Sequence, residues 1–369
     1  MMRPTDSNRI VRWVGGHRAL LSSLFSVFLS LAAGFVAIAL SRADIGVAKD
    51  AYLQMIWGGI GGLRAVGESG AKGALLLLTG LSVSVALSVG FFNIGAQGQM
   101  MLGAIAAAAI GSRLSFPSSI HPVVCLVGAS LAGALYALIP AVLRLRRRVH
   151  EVISTIMLNW VAVSLVENWL VVGPLRAASA AGVSRSGTDE ILQTAHLARL
   201  LGDASRLNAG LPLALLAAGA VWFWMARTVH GFETRAVGLG FEAARTAGIA
   251  VRRRSYQAML LSGALAGIAG AVWVLGTEFK YPVSLSSPYG FDGIAIALIG
   301  QNHPFGIAAA ALFFGILRAG GTGMQLLGIH KSFPELVQGF ALLLIAGRFI
   351  WEAAVSRLAR RAPTSHGVP

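Results

Sequence analysis

Three uncharged amides, Asn93, Gln97 and Gln99, stand within seven residues of one another in the run GFFNIGAQGQMM, from Gly90 to Met101. They interrupt an otherwise apolar stretch that extends from Ala74 to Ile110. A carboxamide donates and accepts hydrogen bonds without a fixed charge, so this set suits the holding of a small polar solute between apolar walls. The competing reading is a tight turn between helices in which the amides satisfy each other. Phe91 and Phe92 precede the set and are placed either to flank a ring or to pack. Asn159 lies in a separate apolar run and is a further candidate for the same polar face.

Other chemistry is poorly provided for. The single cysteine, Cys125, sits in PVVCLVGASLAGALYALIP and reads as a small buried hydrophobe; no Cys/His cluster has metal-site spacing. Ser154, Thr155 and Asn159 have no adjacent His or carboxylate except Glu151, and HExxH is absent, which argues against an intramembrane enzyme. GESGAKGA, Gly67 to Ala74, lacks the Gly-Lys-Ser/Thr of a phosphate-cradling loop. If ATP drives this protein, another chain binds it, and no cofactor is expected. Ionisable groups inside apolar runs are functional suspects by default, and here they read as few. Glu167 lies toward the end of one run, Asp292 and Glu335 start two others where a helix N-terminal role suffices, and His303 precedes Pro304 at an apparent turn. That scarcity counts against an ion-coupled transporter.

The elements that position these residues must meet lipid. Of 369 residues 56% are hydrophobic and 12% charged, with a mean hydropathy of +0.71, whereas a soluble domain carries about 25% charged residues. The 45 glycines suit helices that approach closely through small faces. Apolar runs bounded by charge predict an all-α polytopic integral membrane protein of about ten transmembrane helices. They lie near 19–40, 73–91, 98–112, 122–143, 152–172, 210–227, 256–276, 291–301, 304–322 and 335–350, with the third and eighth short or broken. The first run follows Arg3, Arg9, Arg12 and Arg18 and has 22 residues, from Ala19 to Leu40. As a helix it extends about 33 Å, enough to cross the hydrocarbon core, and it is read as retained rather than cleaved.

The formal net charge of +15 reads as positive-inside orientation rather than nucleic-acid binding. With a cytoplasmic N-terminus and alternating spans, the inner side receives 18 of the 30 Lys+Arg and 5 of the 15 Asp+Glu. The expected organisation is a cytoplasmic segment 1–18, a transmembrane domain 19–350 and a cytoplasmic tail 351–369. Two connections are long. The outer one, 173–209, is Ala/Ser-rich with mixed charge. The inner one, 228–255, is too long for a plain turn, and such loops are often functional. Within it Gly240 can start a short helix, Glu242 falls in the first turn, and Gly248 can end it. Phe241, Ala244 and Ala247 then share a face, giving a short amphipathic helix under the membrane. A second broken apolar stretch, YGFDGIAIALIGQNHPFGIAAAALFFG, runs from Tyr289 to Gly315. Interrupted segments in the two halves point to a path between them.

The runs FNIGAQGQMMLGA, EVISTIMLNW with VVGPLR, RAVGLGFEAARTAGI, SGALAGIAGA and GFDGIAIALIGQNHPFG occur in one order between Gly73 and Ala346. Together they resemble the permease subunit of ATP-binding-cassette importers for simple sugars and nucleosides, the ribose-permease-like proteins. The nearest branch is the one paired with nucleoside-binding lipoproteins. The resemblance implies an importer permease fold in a bacterial inner membrane and both termini cytoplasmic. It also implies an ATPase subunit, a second permease subunit, homologous or identical, and an extracytoplasmic binding protein. It makes the inner loop the coupling element to the ATPase, with Glu233, Arg235, Phe241, Glu242 and Arg245 as its candidates. Phe91, Asn93, Gln97, Gln99 and Asn159 become candidates for the substrate path. The chain departs from the family in having Gly240-Phe241 where Asn-Pro is common, and Gln301 where Arg is frequent. An ion-coupled secondary transporter of similar small polar solutes is the alternative.

Overall fold

The structure, a computed structural model, describes residues 25–41, 44–177, 187–202, 205–282, 288–330 and 333–346. The expected cytoplasmic segments 1–18 and 351–369 lie outside the described residues, as do positions 19–24 and 347–350 of the terminal spans and part of the outer connection. Among the described residues there is no strand, only isolated bridges between Arg176 and Thr188 and between Arg199 and Asn208.

The helices are α1 (Phe25–Ser41), α2 (Ile45–Ile60), α3 (Leu63–Leu87), α4 (Ala96–Arg113), α5 (His121–Arg147), α6 (Glu151–Val163) and α7 (Gly210–Arg227). They continue as α8 (Val229–Leu239), α9 (Phe241–Thr246), α10 (Val251–Trp273), α11 (Tyr289–Ile299), α12 (Pro304–Met324) and α13 (Phe333–Ala346). α6 and α10 run on into π-turns, Ser164–Leu170 and Val274–Glu278. Among the described residues six helices are long and apolar enough to cross a membrane, namely α3, α5, α6 with its π-turn, α7, α10 with its π-turn, and α12. Each expected span coincides with a helix, and α2, Ile45–Ile60, corresponds to none of them. The largest displacement is in α3, which begins at Leu63 where hydropathy alone started it at Gly73. Glu68 and Lys72 form an i,i+4 pair at 3.4 Å, and that pairing lets the helix carry both charges into the bundle.

The described residues form two compact units, one within Met1–Lys49 and Glu335–Pro369, the other within Asp50–Pro334. The first holds α1 and nearly all of α13. The second holds the candidate site. At its centre α3 packs on α12, α10 and α11, while α10 packs on α5, α4 and α3. The run SGALAGIAGA is the seam of this packing. Gly267 lies between α4 and α5: a Cβ on Gly267 would overlap the Ala129 carbonyl of α5, and a Cβ on Gly103 of α4 would overlap the Gly267 backbone. Without a hydrophobic drive between helices in lipid, such close backbone approach supplies the association. α5 shows the opposite surface: Val123, Val127, Leu131 and Leu135 are exposed at four-residue spacing, an apolar stripe whose solvent is hydrocarbon.

α3 stops because Gly90 adopts φ +81 and Phe91 N–H returns to the carbonyl of Ala86 at 3.0 Å, a glycine-terminated helix end. α11 has 11 residues, about 16 Å of helix, too short to span the core. It begins inside the bundle, with Gly290 against Gln97 and Gly293 against Thr79. The inner connection differs from its expected form. α8 occupies Val229–Leu239, where a loop was read. Thr228 Oγ1 accepts from Gly231 N–H at 3.1 Å, Arg235 donates to the Met225 carbonyl, and Glu233 pairs with Arg254. These partners lie outside the segment, so its polarity reads as a loop although the helix is anchored. α9 lies where expected, after Gly240, with Glu242 in its first turn and Gly248 at φ +80 just beyond it. Of its predicted shared face only Ala244 is buried; Phe241 is 43% exposed.

Candidate functional site

The break between α3 and α4 places polar groups deep inside protein. Asn93 and Gln99 exchange two hydrogen bonds, Asn93 Nδ2 to Gln99 Oε1 at 2.9 Å and Gln99 Nε2 to Asn93 Oδ1 at 3.1 Å. Asn93 Nδ2 also donates to Ser262 Oγ on α10 at 2.9 Å, and Ser262 Oγ lies 3.1 Å from Ser82 Oγ on α3. Helices α3, α4 and α10 are thus tied at one buried point.

The other two amides cap helix starts from a distance. α4 has no side-chain cap at Gly95. Asn159 of α6 supplies one, its Oδ1 accepting from Gly98 N–H at 2.9 Å while its Nδ2 donates to the Ile94 carbonyl at 3.0 Å. Gln97 Oε1 accepts from Gly290 N–H, in the first turn of α11, at 2.8 Å. A buried helix N-terminus presents amide hydrogens that water cannot reach, and each must find an acceptor. All four amides are buried. In this conformation the amides satisfy each other and the surrounding backbone.

Phe91 leaves this cluster and faces the α8–α9 end of the unit. The Arg144 guanidinium lies 5.0 Å from its ring centroid and pairs with Glu151 at the start of α6. Phe91 and Arg144 line one cavity of about 1280 Å³ together with Phe241, Glu242 and Arg245 of α9. The two sets of residues read separately in the sequence therefore meet at Phe91.

The coupling candidates divide in two. Glu233 pairs with the buried Arg254 of α10, and the exposed Arg235 donates to the carbonyl of Met225 on α7, so both tie α8 to its neighbouring helices. Glu242 and Arg245 are exposed and 3.8 Å apart on α9. Leu239, between α8 and α9, is 91% exposed.

Sequence reasoning missed a buried ionic group. Asp292 in the first turn of α11 pairs with Arg318 of α12 at 2.5 Å, with both side chains nearly buried. Tyr289 carries the same guanidinium 5.0 Å from its ring centroid. Lys72 Nζ donates to the Arg318 carbonyl at 3.3 Å, and Glu68 lies 3.8 Å from Arg206. Asp292 stands in the first turn of α11 as read from the sequence; the cluster adds a buried partner to it and corrects the reading of ionisable groups as few. The available signal was Arg318, alone in the apolar run from Pro304 to Met324. His303 stands at the start of α12 after Gln301 and Asn302, both at φ +56, in a tight turn closed by Ser84 Oγ on the Asn302 carbonyl at 3.0 Å.

The profile of the family described as the permease component of branched-chain amino acid transport systems matches residues 68–346. This chain belongs to that family. The matched region runs from the Glu68–Lys72 turn of α3 to the end of α13. The permease is 35% identical to the guanosine ABC transporter permease protein NupP of Bacillus subtilis, over 93% of this chain and 97% of that one. It is 33% identical to the nucleoside ABC transporter permease protein NupB of Lactococcus lactis, over 83% and 85% of the two chains. It is 31% identical to the glucose ABC transporter permease protein TsgB13 of Haloferax volcanii, over 87% and 86%. No solved structure matches it. The resemblance read from the five motifs is borne out: this is a multi-pass permease component of an ABC transporter, not an enzyme. Such permeases work with an ATPase and a substrate-binding partner.

Proposed function

We propose that the permease forms the translocation path of an ATP-driven importer for nucleosides, with simple sugars as the alternative cargo. An extracytoplasmic binding protein delivers the solute, a separate ATPase subunit drives the cycle, and a second permease subunit, homologous or identical, completes the path. The protein sits in a bacterial inner membrane with both termini, and the 228–255 connection, on the cytoplasmic side. Segment 173–209 then faces the periplasm. Guanosine and nucleosides in the names of two relatives, against glucose in a third, support the order of preference.

One observation carries this reading: α9 presents Phe241, Glu242 and Arg245 outward while lining the cavity that reaches Phe91 beside the α3–α4 break. A short helix so placed can pass movement of a docked ATPase to the broken segment. Glu233 and Arg235 hold α8 rigid behind it. Along the path, Phe91, Asn93, Gln97, Gln99 and Asn159 set the wall at the break, and their amides exchange internal partners for solute hydroxyls or base edges as the segment moves.

Purification from membranes in mild detergent, with mass spectrometry of every stoichiometric partner, tests the assembly. Recovery of an ATPase, lost when Glu242 and Arg245 are both changed to alanine, supports it. The recovered binding protein is then titrated with guanosine, other nucleosides, ribose and glucose. A permease that emerges alone and drives uptake on an ion gradient sinks the proposal.

A further inference from the structure

The cavity beside α9 has two kinds of wall. Its floor is apolar, with Val89, Val149, Val237, Ile249 and Val251 among the lining residues. Its rim is cationic: Arg148, Arg252 and Arg253 join Arg144 and Arg245, and Glu242 is the one carboxylate in the lining. Arg144 is matched by Glu151, and Arg245 by Glu242. Among the described residues no carboxylate lies within ion-pair distance of Arg148, Arg252 or Arg253, and all three are exposed. The lining also contains no serine, threonine, asparagine, glutamine, histidine or tyrosine.

That composition narrows the ligand. A nucleoside or sugar needs uncharged donors and acceptors, which this wall lacks. A bare inorganic anion has no use for the valine and isoleucine floor. Guanidinium groups beside alkyl surface suit a phosphate ester attached to hydrocarbon, because the planar fork matches phosphate oxygens and is weakly hydrated. Basic pockets at the ends of spans meet lipid headgroups at that depth.

We propose that this cavity binds the headgroup of an anionic phospholipid, the phosphate on Arg148, Arg252 and Arg253 and the first alkyl carbons on the valine floor. The bound lipid neutralises the rim next to Phe91 and α9 and wedges α5 against the start of α10. The site is independent of which solute the permease carries and of which way the chain faces.

Arg148 makes the site separable from folding. It closes α5 in the left-handed region, at φ +58 and ψ 24, where glycine sits without strain. Arg148→Gly removes a rim charge and relieves the backbone, so it loses lipid while the lipid-free protein melts no lower than the parent.

The full-length protein, delipidated in neutral detergent, is tested by native mass spectrometry and thermal melting with phosphatidylglycerol, phosphatidylcholine and inorganic phosphate in turn. Phosphatidylglycerol is expected to be retained at least tenfold over phosphatidylcholine and to raise the melting temperature. Phosphate alone is expected to do neither. The paired variant Arg252→Gln with Arg253→Gln, on exposed side chains, is expected to lower retention about tenfold. Equal retention of the two lipids, or an equal shift with phosphate alone, overturns the proposal. So does expulsion of the lipid when the ATPase subunit is bound, which makes the cavity a protein docking surface instead.

Discussion

Asn93 and Gln99 close on each other through both ends of their carboxamides, at 2.9 and 3.1 Å, with neither side chain in contact with solvent. Gln99→Leu removes both of these bonds, leaving Asn93 only Ser262 Oγ and Gly95 N–H as partners, and is expected to lower stability by about 1–3 kcal/mol. Asn93→Leu combined with Gln99→Leu should lose less than the two single changes added together, because the two bonds shared by the pair are lost only once. Thermal melting of the four proteins in detergent reads this directly. Strict additivity would show that the pair is not a unit.

The Asp292–Arg318 pair obeys the same logic at higher stakes. Arg318→Ala or Asp292→Ala strands a charge in a water-poor interior and is expected to be destabilising by about 3–5 kcal/mol. Arg318→Met with Asp292→Leu removes both charges and should recover most of that loss. Yield of folded protein and its melting temperature are the measurements. A double variant as unstable as the singles would mean that the Arg318 guanidinium holds α11 through the Tyr289 ring without Asp292.

Glu233 and Glu242 are nine residues apart and should behave oppositely. Glu233→Ala strands the buried Arg254 and is expected to lower the melting temperature. Glu242→Ala with Arg245→Ala touches exposed side chains and should leave stability within about 0.5 kcal/mol while abolishing ATPase recovery. Melting and pull-down on the same preparations separate the two roles.

Asn208 pins the 173–209 connection to the end of α10. Its Nδ2 donates to the Gly276 carbonyl at 3.0 Å and its Oδ1 accepts from Gly210 N–H at 2.8 Å. Leu197 N–H takes the neighbouring Leu275 carbonyl at 3.0 Å, so the segment satisfies carbonyls that the helix end leaves open. Asn208→Ala is expected to speed hydrogen exchange across 187–202 and 205–210 with little change in α3 or α4. Unchanged exchange would assign the attachment to the backbone bonds alone.

His196 gives that segment a pH dependence. It stacks on Phe279 with centroids 4.3 Å apart. Burial holds its imidazole below the usual value, and Arg199 adds to this against a backbone hydrogen bond at Ile191. The unfolded segment therefore takes up the proton first. Its attachment is full above the ordinary histidine pKa of about 6.5 and weakens as pH falls from there through the lower folded value. The protection factors of amides in 187–202, which remove the intrinsic pH dependence of exchange, should fall from pH 7.5 to 5, and His196→Phe should remove most of that fall. A slope that survives the substitution would place the titrating group elsewhere.

The sequence by itself determined the ten apolar helices and their environment, though not α2 or α8. Hydropathy and charge are local, so ten apolar runs and their basic boundaries were readable in order, and α7 was legible to the residue. The short helix α9 was legible too, because Gly240, Glu242 and Gly248 act on their own backbone. Only the tertiary structure decided what the polar residues do. Asn159 finds Gly98, Gln97 finds Gly290 and Arg318 finds Asp292 across 61, 193 and 26 residues of chain. α8 was hidden for the same reason, since Arg235 and Glu233 are partnered on α7 and α10. A buried polar group must be matched by whatever the fold brings within 3 Å or so, and that neighbour is set by packing, not by nearness along the chain.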